Sequence, residues 1–325
     1  MSSEPILQES DDRFLMHPIQ YSDLWNLFNK QRKTFWSESE VSLKNDVEQF
    51  SALEENEQFF IKRILAFFAA ADGIVMENLS TRFATEVQLP ELRAFYAAQN
   101  YIEVVHSIMY SQLLNIYITD ERERQFLFNS IHSIPVVKKK ADWARRWIGS
   151  SDSFVTRLVA FLCVEGIFFS GAFCSIFWIK ERGILKGLTI SNDWISRDEG
   201  LHCEMPTLLY VKYIVNKLSD TVVHQIVQEA VDIETEFIVD SIPCNLIGIN
   251  AESMVEYIQY VANRLVVQLG HTPIHPDAKC PFDFMDRICF DTKSNFFEET
   301  TTAYQLRAES TLEDDTLTFN PDAEF

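Results

Sequence analysis

Residues 158–179 read LVAFLCVEGIFFSGAFCSIFWI and carry a single charge, Glu165. A run of this kind is long enough to cross a bilayer, for which about 20 apolar residues suffice. It is equally the pattern of a helix that is apolar all round because it lies at the centre of a large helical bundle. The surrounding sequence favours the bundle and no membrane. No second segment resembles the run, and amphipathic patterns of helical period flank it on both sides. The glutamate then poses a charge problem, because a buried carboxylate costs several kcal/mol unless something compensates it.

The rest of the chain reads as helix after helix. Helical periodicity covers residues 22–34, 53–86, 90–118, 135–147, 152–182, 192–217, 220–241 and 251–268. Ser22 opens the first, Pro90 suits the first turn of the third, and Ser191 or Asn192 is the expected cap of the helix at 192. No run alternates with period two between hairpin turns. Only 9 glycines in 325 residues argue against a turn-dense β fold, and 26 phenylalanines predict a Phe-rich core. The expected fold class is all-α. Residues 1–18 read as a flexible N-terminal segment, 19–297 as one helical domain, and 298–325 as a flexible tail. That tail is acidic and too poor in apolar residues to order itself. It nevertheless ends in Phe319 and Phe325, either by chance or as a short peptide that docks on a partner.

The net charge of −20 repels nucleic acid phosphates and anionic lipid, so neither is an expected partner. The basic run of Lys138, Lys139, Lys140, Arg145 and Arg146 reads as a solvated helix face rather than a nuclear address. The acidic N-terminus, MSSEPILQESDDRF, has the form of neither a secretory signal nor a transit peptide. Six scattered cysteines without a CxxC pair suit a reducing, cytoplasmic setting.

Two pairs stand out. Glu103 and His106, and again Glu199 and His202, are spaced i, i+3, which puts both members on one helix face. One E-x-x-H pair is weak evidence for a metal. Here each copy follows an acid at a similar distance: Asp72 before Glu103, and Glu165 before Glu199. Four consecutive helices then bring four carboxylates and two imidazoles to one point, the ligand pattern of di-iron and di-manganese bundles. Two divalent ions would cancel four negative charges, and oxygen and imidazole donors suit iron or manganese. The competing reading pairs Glu165 with a tertiary Lys or Arg. Tyr110, seven residues after Glu103, returns to nearly the same face. It reads as a core tyrosine or, beside an oxygen-activating site, as a residue oxidised to a radical. Phe169 and Phe173 follow Glu165 at one- and two-turn spacing, as core or as an apolar wall.

Taken together, Asp72, the Glu103/His106/Tyr110 segment, VEGIFFSGAF, ISRDEGLHCE, PFDFM and the terminal aromatic-acidic peptide closely resemble the radical-generating small subunit of class I ribonucleotide reductases, of eukaryotic or viral type. The resemblance implies a ferritin-like helical bundle with additional helices and a disordered C-terminal tail, assembled as a homodimer. It implies two iron ions (or manganese) on Asp72, Glu103, His106, Glu165, Glu199 and His202, and a radical on Tyr110. The radical equivalent would serve a separate large subunit that reduces ribonucleoside diphosphates, with the tail as docking element through Phe319 and Phe325. By position, Trp36, Asp198 and Tyr304 match radical-transfer residues, and Phe169, Phe173 and Ile195 match the radical pocket. Pro206 departs from the pattern and is expected to kink its helix. The alternatives are another ferritin-like di-iron oxidase or an iron-storage protein.

Overall fold

A computed structural model describes residues 4–242 and 248–285, and several of its helices start where local chemistry or a distant side chain satisfies the exposed amides. We number the main helices α1 (Ser22–Lys33), α2 (Glu55–Asn78), α3 (Pro90–Tyr117), α4 (Pro135–Ile148), α5 (Phe154–Cys163), α6 (Ser170–Glu181), α7 (Lys186–Leu208), α8 (Asp220–Ser241) and α9 (Ala251–Gln268). Proline opens α3 and α4, where its missing N–H costs nothing. Ser153 caps α5 by accepting from the Thr156 amide at 3.1 Å, and Asn250 caps α9 from the Ser253 amide at 2.9 Å.

The apolar run forms α5 and α6 with a π-helical turn, Val164–Phe168, between them. A window of this composite helix is 94% buried, so protein rather than lipid covers it. Around it, α2 packs on α3, α3 on α7, α7 on α5 and α6, and α6 on α2, closing a four-membered ring. α8 covers α4 and α5 from outside, α9 lies on α8, and α1 lies on α3. The core is rich in phenylalanine, including Phe60, Phe68, Phe83, Phe95, Phe169 and Phe237.

Three expectations need correction. The helix carrying Glu199 starts at Lys186, so Ser191 and Asn192 are buried interior residues and cap nothing. The capping group is the buried Asp46 carboxylate, which accepts from the amides of Gly187 at 3.0 Å and Leu188 at 2.9 Å. A side chain at Gly187 would put its Cβ 2.8 Å from the Ser42 carbonyl, so the close approach requires glycine. Second, α7 continues unbroken through Pro206 to Leu208 and widens only then, in a π-helical turn at Leu209–Tyr213. Third, the basic run is not uniformly solvated. Lys138 and Lys139 pair with Asp142 and Glu236 at the surface, but Lys140 is buried.

The start of the chain, expected to be flexible, packs on the body where it is described. Ile6 is buried, its carbonyl accepts from the Gln88 amide, and Glu4 accepts from the amides of Val215 and Asn216. Residues 298–325 lie outside the described residues.

Asp46 satisfies two orphan amides at the start of the helix that carries Asp198, Glu199 and His202. Asp46→Ala leaves them buried without an acceptor and is expected to destabilise the fold by about 2 kcal/mol. Urea denaturation of parent and variant measures this, and Asp46→Asn should recover part of the loss.

Candidate metal centre

The four ring helices each deliver part of one cluster. α2 supplies Asp72, α3 supplies Glu103 and His106, the π-helical turn supplies Glu165, and α7 supplies Glu199 and His202. All six residues are at most 3% exposed. Ligand atoms of Glu103, Glu165, Glu199 and His202 lie within 4.8 Å of one another. His106 Nδ1 joins them at 3.3 Å from Glu103 Oε2 and 3.2 Å from Glu199 Oε1. His202 Nδ1 is 2.9 Å from Glu103 Oε1 and 3.0 Å from Glu199 Oε2. Both rings therefore turn Nδ1 inward and Nε2 outward.

The outward nitrogens are held by residues beyond the cluster. His106 Nε2 lies 3.2 Å from Asp198 Oδ2, and the Gln31 amide meets His202 Nε2 at 3.0 Å. Such outer partners fix ring orientation and tautomer at metal sites. Asp198 also accepts from Trp36 Nε1 at 2.8 Å and from Arg197 at 3.1 Å. The Trp36 ring stacks on His106 with centroids 6.0 Å apart. Gln99 donates to Glu165 Oε1 at 3.0 Å, so the glutamate's nearest partner is an amide and not the Lys or Arg of the competing reading. Gln31, Gln99 and Arg197 were not singled out in the sequence, where nothing local marks them.

Electrostatics show how the chain tolerates this density of acid. Burial and the Glu103 charge push the Asp72 carboxyl well above its usual range. Burial and Glu199 do the same to Glu165. Burial disfavours a charged His202, yet Glu199 and Glu103 raise its pKa to about 9. His106 also lies well above the usual value, because Asp198, Glu103 and Glu199 outweigh its burial. Burial works against an ionised Glu199, but His202 and His106 hold its pKa below the normal range. The protein alone thus balances its acids with protons. Asp72 Oδ2 and Glu165 Oε2 are buried without a hydrogen-bond partner. Four carboxylates, two inward Nδ1 atoms and these orphan oxygens fit two divalent cations.

Tyr110 points into the same space. Its hydroxyl is buried without a partner, and burial with the charges of Asp72, Glu199 and Glu103 raises its pKa far above the ordinary phenol value. Phe68 stacks face to face on it, with centroids 4.4 Å apart and an interplanar angle of 1°. Phe169 and Phe173 lie against Phe68 at 5.7 and 5.1 Å, and Ile195 is buried on α7. Phe68 was missed in the sequence because nothing there distinguishes it from its core neighbours. Tyr304, Phe319 and Phe325 lie outside the described residues.

The raised groups have a consequence for the metal-free protein. His202 moves from 6.5 to about 9 on folding. A raised pKa stabilises the fold in full below the unfolded value, and the contribution is lost as pH climbs through the folded one. For His202 this is on the order of 3 kcal/mol. Asp72 and Glu165, also raised, act with the same sign. Calorimetry of the metal-free protein should therefore show its unfolding temperature falling from pH 6.5 to 9. Added Mn(II), taking the place of these protons, should flatten that dependence.

Comparison with known proteins agrees with this geometry. A family model described as "Ribonucleotide reductase, small chain" matches residues 13–281. A ribonucleoside-diphosphate reductase small chain of Trypanosoma brucei brucei is 50% identical over 322 residues, covering 99% of this chain and 95% of the relative. The corresponding chain of vaccinia virus (strain Western Reserve) is 48% identical over 319 residues, 98% of this chain and 99% of the relative. Among solved structures, a ribonucleotide reductase homodimer from Saccharomyces cerevisiae superposes with a TM-score of 0.80 at 32% identity, covering 89% of this chain and 93% of that one. Helical architecture, buried acid–imidazole cluster and near-complete sequence match converge: the chain belongs to the small-chain family of ribonucleotide reductases, oxidoreductases with a ferritin-like fold.

Proposed function

We propose that Asp72, Glu103, His106, Glu165, Glu199 and His202 hold two iron ions, and that Tyr110 carries the oxidising equivalent used by a large subunit to reduce ribonucleoside diphosphates. The observation that carries this reading is the placement of a partnerless, fully buried tyrosine beside the six-residue cluster. The chemistry a bound di-iron pair supplies is one-electron oxidation driven by dioxygen. The chain's own residues do the rest. Tyr110 is kept a neutral phenol, so losing an electron requires losing its proton as well. The orphan oxygen of Asp72 belongs to the set of acids whose charges reach the phenol. Phe68, with Phe169 and Phe173 behind it, excludes water and reductants from the ring. Ile195 belongs to the same apolar pocket.

An oxidant sealed in this way acts at a distance. Trp36, Asp198 and His106 form an unbroken hydrogen-bonded line from the cluster to α1's end of the molecule, the route we assign to radical transfer. Tyr304 continues it in the tail, and Phe319 and Phe325 dock on the large subunit. The cytoplasm is the compartment where such a partner is expected. A second copy of the chain covers the outer face of α3, where Tyr101, Val104 and Ile108 stand exposed in one row opposite the ligands. The relative from Saccharomyces cerevisiae is described as a homodimer. Iron storage accounts for the ligands but not for Trp36 bonded to Asp198 or for the shielded Tyr110, and it is not favoured; nor is another di-iron oxidase.

Tyr110→Phe tests the centre of this reading. It preserves packing and removes no ligand. Ferrous iron and oxygen added to the metal-free variant should give iron content like the parent's, no tyrosyl signal in electron paramagnetic resonance, and no reductase activity with the large subunit. A parental signal would move the radical elsewhere. Deleting residues 319–325 should leave metal and radical intact while weakening large-subunit binding. Each fully buried aromatic is worth about 1.5–3 kcal/mol, so losing both should cost at least a hundredfold in affinity. Full activity at equal subunit concentrations would refute the docking role.

A further inference from the structure

A second buried charge group, outside the cluster, touches the segment that carries Glu165. Lys140 on α4 and Glu234 on α8 are both fully buried, with Lys140 Nζ and Glu234 Oε2 2.5 Å apart. Replacing such a pair with apolar residues is often neutral or stabilising, so stability alone does not explain it. Its surroundings offer another reason. The Lys140 ammonium donates to the Phe168 carbonyl at 2.9 Å, and Phe168 ends the π-helical turn Val164–Phe168. Glu234 lies against the first turn of α6: a Cβ on Gly171 would come 2.6 Å from Glu234 Oε1, so glycine admits the carboxylate to the backbone. The ammonium also sits 3.4 Å above the Phe67 ring and 3.8 Å from that of Phe237. Phe67 precedes Phe68, the ring stacked on Tyr110.

The turn needs such a brace. A π-helical turn departs from the regular hydrogen-bond ladder and leaves carbonyls to be satisfied from elsewhere. Ser170 Oγ donates to one, that of Ile167 at 2.7 Å, and Lys140 to the next. Sliding the turn by one residue into regular helix would swing Glu165 about 100° around the axis and off the cluster. We infer that the Lys140–Glu234 pair is a positioning device for the metal centre: it clamps the π-helical turn through the Phe168 carbonyl and so aims Glu165 at the cations. The inference rests on the ligand assignment made above, and it adds two residues that touch neither metal nor ligand.

The test is Mn(II) titration of the metal-free full-length chain, with free Mn(II) counted by electron paramagnetic resonance. The parent must bind two ions per chain; if it does not, the ligand assignment itself falls. Lys140→Met with Glu234→Leu removes both charges at similar volume. This double variant should unfold cooperatively near the parental temperature, yet bind Mn(II) roughly ten- to hundredfold more weakly, the range seen when outer-sphere supports are removed from metal sites. Lys140→Arg, which keeps the cation and donor, should recover most of the affinity. Amide hydrogen exchange should quicken at residues 164–171 in the double variant and not in α3. If the double variant does not fold, Lys140→Met alone, in which the buried Glu234 takes up a proton, carries the same comparison. Parental Mn(II) affinity in the folded double variant, or in folded Lys140→Met, overturns the proposal.

Discussion

Four carboxylates within reach of one another at the centre of an apolar bundle is the constraint around which this protein is organised. Left ionised and unpaired they would repel and pay for desolvation separately, at several kcal/mol each. The counter-charges that reach them are the imidazoles of His106 and His202. Raised pKa values at Asp72, Glu165, His106 and His202 describe the same constraint from the proton's side. A site that must gather positive charge is also one that selects for divalent cations. The energetic difficulty of the fold and its chemical capacity are therefore one property.

Holding that arrangement requires irregular backbone. Three of the four ring members depart from regular helix, and only α3 runs without interruption. α2 runs into a π-helical turn at Leu79–Phe83, α5 and α6 are joined by one at Glu165, and α7 ends in one after Pro206. α7 begins just as irregularly, from Leu185 in a left-handed conformation and under a cap donated by Asp46. The Asp46 carboxylate is further fixed by the Tyr117 hydroxyl at 2.9 Å, which ties the start of α7 to the end of α3. The two E-x-x-H helices are thus locked to each other at the end away from the ligands.

What was legible in the sequence is what depends on local spacing. Helices appear where hydrophobic periodicity runs, and the E-x-x-H pairs converge because i, i+3 residues share a face whatever surrounds them. Glu165 was conspicuous because its neighbours are apolar. What was not legible depends on partners distant in the chain. The cap of α7 lies 141 residues from Gly187, so Ser191 and Asn192, locally suitable, were the wrong choice. Nothing local marks Gln99 and Gln31, which α3 and α1 turn onto Glu165 and His202. Lys140 sat in a basic run that sequence logic assigns to solvent. Only packing against Phe67, Phe237 and Glu234 reveals it as interior.

The same burial that makes the centre possible separates it from any substrate. With every residue of the cluster at most 3% exposed, a nucleotide cannot approach it, so on the proposed reading the useful product of oxidation there is a missing electron rather than a modified molecule. An electron vacancy can cross a protein where a substrate cannot, provided that aromatic rings and hydrogen bonds connect the ends. Trp36 supplies the ring, stacked on His106 and edge-on to the partly exposed Trp194 at 5.2 Å. Asp198 supplies the connection. Its burial works against ionisation, but His106, Arg197 and Trp36 together keep its pKa below the usual carboxylate range. Held toward its ionised form, Asp198 contacts both rings at once, so a proton leaving the indole nitrogen has an acceptor already in contact. On the proposed reading, sealing the oxidant and wiring it to the surface are complementary requirements, met by Trp36 just after α1, His106 on α3 and Asp198 on α7.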